Sequence, residues 1–555
     1  MTTTTHATVF DIYLLVELIC AQLTLRDIRR CCLVSKDLYH NFSPCLYKTI
    51  SIHRKSTFNK FHRPESLAAL ARHHDQVTHV TCEFAQIWKT LLDRHCHNLV
   101  TLTSDRLPKR HSNADTNRHQ TRYISDLIEV NPRLYSVHLG QFLFEPEVVS
   151  RFCSVLRNHS QIRELSIVSP NSYVSFTTIR LIMWSSVRLE KLCLDVRSLY
   201  SSATEMSDLQ FQDYLDLTGS KSPVFSLKEL SIPINLYEYE TGAFLRFLEY
   251  TPHVERFVSP MFYWIEGLPS GIQTRMTSIQ YLNVYSIGIH GSLVAQIVSL
   301  CGNLKSFVSS HYQTGTNFVA GALLEHHRET LEEVRMVGAS RMTSVQVLSF
   351  ITECPKLQIF DAMCTTKKSS PDREMMARQR IGDPILLTTD MDAAASTIPW
   401  ACTGLKVLKL RYAVPEIAHQ DNDEEEEQEE SEESDEWVFP KALYERIAEL
   451  TELETLWLGR VEPAFPSTDS FMLALRVGNG EPVPELNLEL RQPESESEIR
   501  QHEMGTLNMS KALMAWRSLL KLRQLHLRGL KNFIDKNTVR EARRSWKNLD
   551  WIWYN

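Results

Sequence analysis

The sequence predicts an α/β solenoid, a curved parallel sheet inside with helices outside, preceded by a small three-helix module. Three observations carry that prediction. An apolar-x-x-apolar-x-apolar motif recurs along most of the 555 residues. Its copies keep a nearly constant spacing, and the residues before each copy switch from helical to strand periodicity, often at a proline.

The motif reads Leu134-x-x-Val137-x-Leu139, Ile162-x-x-Leu165-x-Ile167, Leu189-x-x-Leu192-x-Leu194 and Leu227-x-x-Leu230-x-Ile232. Later copies begin at Ile279, Leu331, Leu405, Leu453 and Leu522, and weaker ones at Val77, Leu99, Val254, Leu304, Leu357 and Leu549. From Leu227 through Val254, Ile279, Leu304 and Leu331 to Leu357 the steps are 27, 25, 25, 27 and 26 residues. A register held over that many steps marks a repeat architecture. Within each unit the closing x-apolar-x-apolar alternates as a half-buried strand does. Upstream, Val345, Leu348 and Ile351 precede Cys354-Pro355, Leu245 and Leu248 precede Thr251-Pro252, and Ile124, Leu127 and Ile128 precede Asn131-Pro132. Proline disfavours helix at the residue before it, so helix stops and strand follows. Neither apolar face can be buried by one unit alone, and stacking neighbours buries both.

Composition narrows the function. Hydrophobic residues make up 43% and charged residues 23%, as in a soluble protein with a large core. The formal charge is -7, but Asp421 to Glu436 holds twelve acidic residues and no basic one, so the remainder stands at +5. That balance argues against a nucleic-acid binder. Apolar runs such as Tyr13 to Leu18 are too short to cross a membrane. The twelve cysteines form no CxxC pattern and read as reduced thiols of a cytoplasmic or nuclear protein.

The N-terminal fifty residues follow another plan. Ile12, Leu15, Val16, Ile19 and Leu23 form one helical stripe, and Leu14 and Leu18 a second. Thr24-Leu25-Arg26-Asp27 is a capping signal that starts a second helix, carrying Ile28, Cys31, Cys32 and Val34. A short third segment holds Leu38, Tyr39 and Phe42 before Ser43-Pro44. A helix apolar on two sides must be covered twice, once by its own domain and once by something else.

The repeats, with their helix, Cys-Pro or Asn-Pro turn and LxxLxL strand, resemble the leucine-rich repeats of the F-box family. The N-terminal run does too, through Phe10-Asp11-Ile12-Tyr13 to Leu23, Leu25-Arg26-Asp27-Ile28, Leu33-Val34-Ser35-Lys36 and Pro44-Cys45-Leu46-Tyr47-Lys48-Thr49-Ile50. The resemblance implies an F-box-like module at 8–50, a connector at 51–73 and a leucine-rich-repeat solenoid at 74–555. It implies a substrate-recognition subunit that binds the Skp-type linker of a cullin-based ubiquitin ligase through Ile12, Leu14, Leu15, Leu18, Ile19, Leu23, Ile28 and Val34. A ligase-independent scaffold is the rival reading.

A target protein would sit on the variable strand positions, which point off the inner, concave face. Tyr281, Tyr285, Arg335, Lys409, Arg411, Trp457, Arg460, His526 and Arg528 are the candidates, since exposed aromatics and arginines anchor interfaces. These later strands lean basic, whereas Glu164, Asp195 and Glu229 make the earlier ones acidic or neutral, which points to an acidic ligand. Insertions are expected near 103–120, 365–399, 419–437 and 478–503. No catalytic, cofactor or metal site is expected. His95-Cys96-His97 cannot converge on one ion from a helix, and no GxxxxGK[ST], GxSxG or HExxH occurs. Trp546, Leu549, Trp551, Ile552 and Trp553 read as a cap over the last repeat.

Overall fold

The computed structural model describes residues 13–53, 55–104, 114–140, 142–186, 188–200, 225–232, 251–259, 276–284, 291–309, 316–336, 344–362, 399–413, 445–460, 516–528 and 551–554, with pieces of one to three residues between them. The chain divides into two compact units, Met1–Ile265 with Pro269–Ile279 and Glu266–Leu268 with Gln280–Asn555.

The first unit opens with three helices, α1 (Tyr13–Gln22), α2 (Leu25–Cys32) and α3 (Lys36–Tyr47). The capping signal holds: Oγ1 of Thr24 accepts from the Asp27 amide at 3.3 Å and donates to the Asp27 carboxylate at 2.6 Å. Ser35 caps α3 by accepting from the Leu38 amide at 3.1 Å. Val16, Cys20, Ile28, Cys32 and Phe42 fill a small core, with Ile19, Leu23, Cys31, Leu38, Tyr39, Cys45 and Leu46 packed around it. The third segment does not end before Pro44; α3 continues to Tyr47. One helical hydrogen bond is lost at that proline, and packing of Cys45 and Leu46 on the core offsets it.

Ten strands follow among the described residues of this unit: β1 (Thr49–Ile52), β2 (His79–Cys82), β3 (Thr101–Ser104), β4 (Ser136–Gly140), β5 (Glu164–Ser175), β6 (Lys191–Tyr200), β7 (Glu229–Ser231), β8 (Asn235–Leu236), β9 (Arg256–Ser259) and β10 (Met261–Phe262). The pairings are parallel, and the motif sets their register. Ile50, Val80, Leu102, Val137, Leu165, Leu192, Leu230 and Phe257, each the middle apolar residue of its copy, are successive lateral partners. A slip of one residue would turn every one of them to the other face. The linking helices are α4 (Lys55–Phe61), α5 (Pro64–His73), α6 (Ala85–Asp93), α7 (Ala114–Val130), α8 (Pro146–Asn158) and α9 (Phe176–Trp184). Crossovers between parallel strands are right-handed as a rule, which sets such helices on one side of a sheet, and α6 to α9 pack in sequence.

Two boundaries differ from the sequence reading. Residues 51–73 are a repeat, not a connector, because β1 pairs with β2 and α4 and α5 follow it. Tyr47 in place of an aliphatic residue hid that first copy of the motif. The loop expected at 103–120 is shorter, since β3 runs to Ser104 and α7 starts at Ala114 with polar turns that carry no apolar period.

The second unit repeats the plan with β11 (Tyr281–Val284), β12 (Ser306–Ser309), β13 (Glu333–Met336), β14 (Ile359–Asp361), β15 (Ile385–Leu386), β16 (Val407–Ala413), β17 (Thr455–Arg460), β18 (Gln524–Arg528) and β19 (Trp551–Tyr554). Helices among its described residues include α10 (Gly291–Leu300), α11 (Thr316–His327) and α12 (Ser344–Glu353). Leu282, Phe307, Val334, Phe360, Leu408, Leu456, Leu525 and Ile552 form the matching lateral row. In α12 the buried side is Val347, Leu348, Phe350 and Ile351, and Val345, expected in the stripe, is 62% exposed. The C-terminal segment is a paired strand, β19, and Trp546 is buried before it, donating from Nε1 to the Trp516 carbonyl at 3.2 Å. The insertions at 365–399, 419–437 and 478–503 lie outside the described residues, apart from β15 and residue 399.

One position sets the turn from helix to strand. Three residues before the motif, Asn131 is fully buried; its Nδ2 donates to the carbonyls of Cys96 at 2.9 Å and Leu127 at 2.7 Å, and its Oδ1 accepts from the Leu99 amide at 2.8 Å. That bonding satisfies groups left orphaned at a helix end. Cys96, Cys301, Cys354 and Cys402 occupy the equivalent place in other repeats as small buried side chains.

Candidate protein-binding surfaces

The three-helix module sorts its apolar residues into two sets. Ile28 is buried and Ile19 and Leu23 pack on the core, so these three, expected at a partner, hold the module together instead. Leu15 is half-buried, Leu14 lies in α1, and Ile12 is outside the described residues. Leu18 and Val34 are 57% and 73% exposed. The sequence reading missed two of their kind: Leu25 and Leu33 are 62% and 78% exposed. Leu25, Arg29 and Leu33 follow at four-residue steps on the solvent side of α2, with Arg26 and Arg30 beside them. Helical spacing alone gave no signal, since Leu25 stands three residues before the buried Ile28 and seven before the buried Cys32. Thr24, through its hydroxyl, and then Arg30 hold the Asp27 carboxyl below its usual range, so that carboxylate is engaged within α2.

The module is anchored to the first repeat. The Tyr47 ring stacks on His73 at 4.0 Å, Tyr39 Oη lies 3.3 Å from His73 Nε2, and Lys48 Nζ pairs with Glu17 at 2.8 Å. Burial keeps the His73 imidazole below its usual pKa, so it is neutral in this contact.

In the second unit the strand positions between the buried ones form another lateral row: Asn283, Val308, Arg335, Asp361, Lys409, Trp457 and His526. Alternation places this row on the face away from the helices. Arg335 is bonded to Glu333 at 2.5 Å, and Lys409 to the buried Asp361 at 2.8 Å. The half-buried rings of Trp457 and His526 lie 6.5 Å apart. Burial, then the charge of Lys409, lowers the His526 pKa and keeps it neutral. Tyr281 begins the face, half-buried, while Tyr285 lies outside the described residues. Arg411 and Arg528 share one row across Gly459, and Arg460 lies opposite Tyr412. The basic lean read from the sequence therefore does not hold for Arg335 and Lys409: each faces a carboxylate on the same surface. An acidic ligand loses that support.

On the corresponding face of the first unit, hydroxyls and imidazoles of β2 to β5 bond their neighbours. His79 Nδ1 lies 2.8 Å from Thr101 Oγ1, and Ser136 Oγ 3.0 Å from His138 Nε2 and 2.8 Å from Glu164. Burial lowers the pKa of both histidines.

Among the described residues no group of three or more His, Cys, Asp or Glu is arranged to hold a metal ion, and no helix is long and apolar enough to cross a membrane. Burial pushes the thiols of Cys82, Cys96, Cys301, Cys354 and Cys402 up to about 12, which makes them poor nucleophiles.

The fold defines a class: a solenoid of strand–helix repeats with a helical module at its start. No family model and no curated protein matches the chain. Among solved structures it is similar to a leucine-rich-repeat protein of Leptospira interrogans, at 11% identity over 88% of this chain and 98% of that one, with a TM-score of 0.34. A likeness that shallow says nothing about function.

Proposed function

We propose that this chain is a non-catalytic adaptor, the substrate-recognition subunit of a cullin-type ubiquitin ligase. Its N-terminal helices would hold the Skp-type linker, and the strand face of its second unit the target protein. The gain is effective concentration and orientation, with the chemistry left to a partner. One observation carries the reading. The module closes its own core yet leaves Leu18, Leu25, Leu33 and Val34 largely exposed, apolar side chains that a partner could cover.

The second reading, a ligase-independent scaffold for protein–protein contacts, is favoured by the use of Ile19, Leu23 and Ile28 inside the module. A pull-down of the full chain on purified Skp-type linker separates the two. Under the first reading the chain is retained, and Leu18→Asp with Val34→Asp abolishes retention while the circular dichroism spectrum stays unchanged. If the unmodified chain is not retained, the scaffold reading stands.

A further inference from the structure

We propose that charged residues at the head of four strands of the first unit disfavour pairings that skip one strand or slip by one residue. β5, β6, β7 and β9 are entered through Arg163-Glu164, Glu190-Lys191, Lys228-Glu229 and Glu255-Arg256. The backbone fixes the order of the first members: the Glu190 amide donates to the Arg163 carbonyl, that of Lys228 to Glu190, and that of Glu255 to Lys228, each at 2.8 Å. The second members, Glu164, Lys191, Glu229 and Arg256, are successive register partners. Charge thus alternates both along the chain and across the sheet, as a checkerboard. Glu190 lies 3.6 Å from Arg163 and 3.1 Å from Lys228, and Lys191 lies 3.0 Å from Glu229.

The pattern answers a problem peculiar to repeats. Leu165, Leu192, Leu230 and Phe257 are interchangeable apolar residues, so burial cannot tell β6 from β7 as a neighbour for β5. Looping out a repeat costs a closure entropy that grows only slowly with length, and misassembly of this kind is a characteristic failure of repeat proteins. The checkerboard opposes it. β5 against β7 sets Arg163 on Lys228 and Glu164 on Glu229; β6 against β9 sets Glu190 on Glu255 and Lys191 on Arg256. A one-residue slip of β5 on β6 sets Glu164 on Glu190, or Arg163 on Lys191. Exposed ion pairs add little to a native state. Here their effect lies in the wrong pairings they penalise, several like-signed contacts at once.

The test transposes charges without changing composition. Glu190→Lys with Lys191→Glu keeps net charge and every apolar residue, but sets like signs between β6 and both neighbours. The full chain is unfolded in urea and diluted into low-salt buffer, and recovered native monomer is measured by gel filtration. Recovery should fall about threefold or more below the parent, and the gap should close near ~1 M salt, where charges are screened within a few ångströms. Transposing all four pairs (adding Arg163→Glu, Glu164→Arg, Lys228→Glu, Glu229→Lys, Glu255→Arg and Arg256→Glu) restores every opposite-sign contact and should restore recovery, even if the β6 variant yields nothing. The proposal is overturned if the β6 variant refolds like the parent, if its deficit survives high salt, or if the fully transposed chain is as impaired as the β6 variant.

Discussion

The strand faces of the two units come from the same repeat yet carry different chemistry. In the first, His79 bonds Thr101 and Ser136 bonds His138 and Glu164, beside the charged heads of β6, β7 and β9. In the second, Trp457 and His526 stand beside two internally neutralised ion pairs, Glu333–Arg335 and Asp361–Lys409. The buried positions are alike in both, and the two faces differ at the positions between them. Half-buried aromatics ringed by satisfied polar groups are where interface energy concentrates. Under the adaptor reading we propose, the second face is the one that receives a partner.

The sharpest way to test the contrast is at the turn that both units share. Asn131→Ala strands two carbonyls and an amide in the first unit and should cost about 3 kcal/mol in urea unfolding. Cys301→Ala, at the same place in the second unit, gives up one weak Sγ to Ile297 carbonyl contact of 3.3 Å and should cost about 1 kcal/mol. Equal losses would mean that the turn matters and its bonding does not. Next in size, Lys409→Met removes a partner of the buried Asp361 carboxylate and should cost about 2 kcal/mol, whereas Arg335→Met, beside the more exposed Glu333, should cost under about 1 kcal/mol.

Trp457→Ala probes binding instead of stability. Once a target protein is in hand, its Kd should rise tenfold or more, about 1.4 kcal/mol, by calorimetry, while Thr103→Ala on the first face leaves it unchanged. Acid acts on both units. The imidazoles of His79 and His138 in one, and of His327 and His526 in the other, are held below their usual pKa by burial. The unfolded chain therefore takes up protons first, so their contribution is complete above about pH 6.5 and is lost as pH falls through the depressed native values. Tm should drop between pH 7 and pH 5, and drop less in a His138→Gln, His526→Gln variant. Smallest of all, Leu33→Ser, on exposed surface, should shift stability by less than about 0.5 kcal/mol.

Much of this fold was legible in the sequence because one motif fixes both burial and register. Each strand from β2 onward that bears a copy lies where its apolar spacing put it, and Thr24 starts α2 as its hydroxyl and spacing required. β1 was not legible, since Tyr47 blurred the first apolar position. The surfaces were harder. Ile28 and Leu33 are both apolar, and only the packing of α2 on α1 and α3 decides which of them faces water. Glu333 and Arg335, two residues apart on one strand, were a visible pair. Asp361 and Lys409 meet across 48 residues, through direct pairing of β14 with β16. A charge count along the sequence cannot see that neutralisation.

The buried turn cysteines have a practical consequence. Thiolates, not thiols, react with alkylating reagents, and Cys96, Cys301, Cys354 and Cys402 sit out of solvent with pKa values pushed to about 12. Each can be labelled only while its own repeat is open. Labelling rates read residue by residue by mass spectrometry would time the breathing of individual coils, giving the array four clocks already wound into its spine.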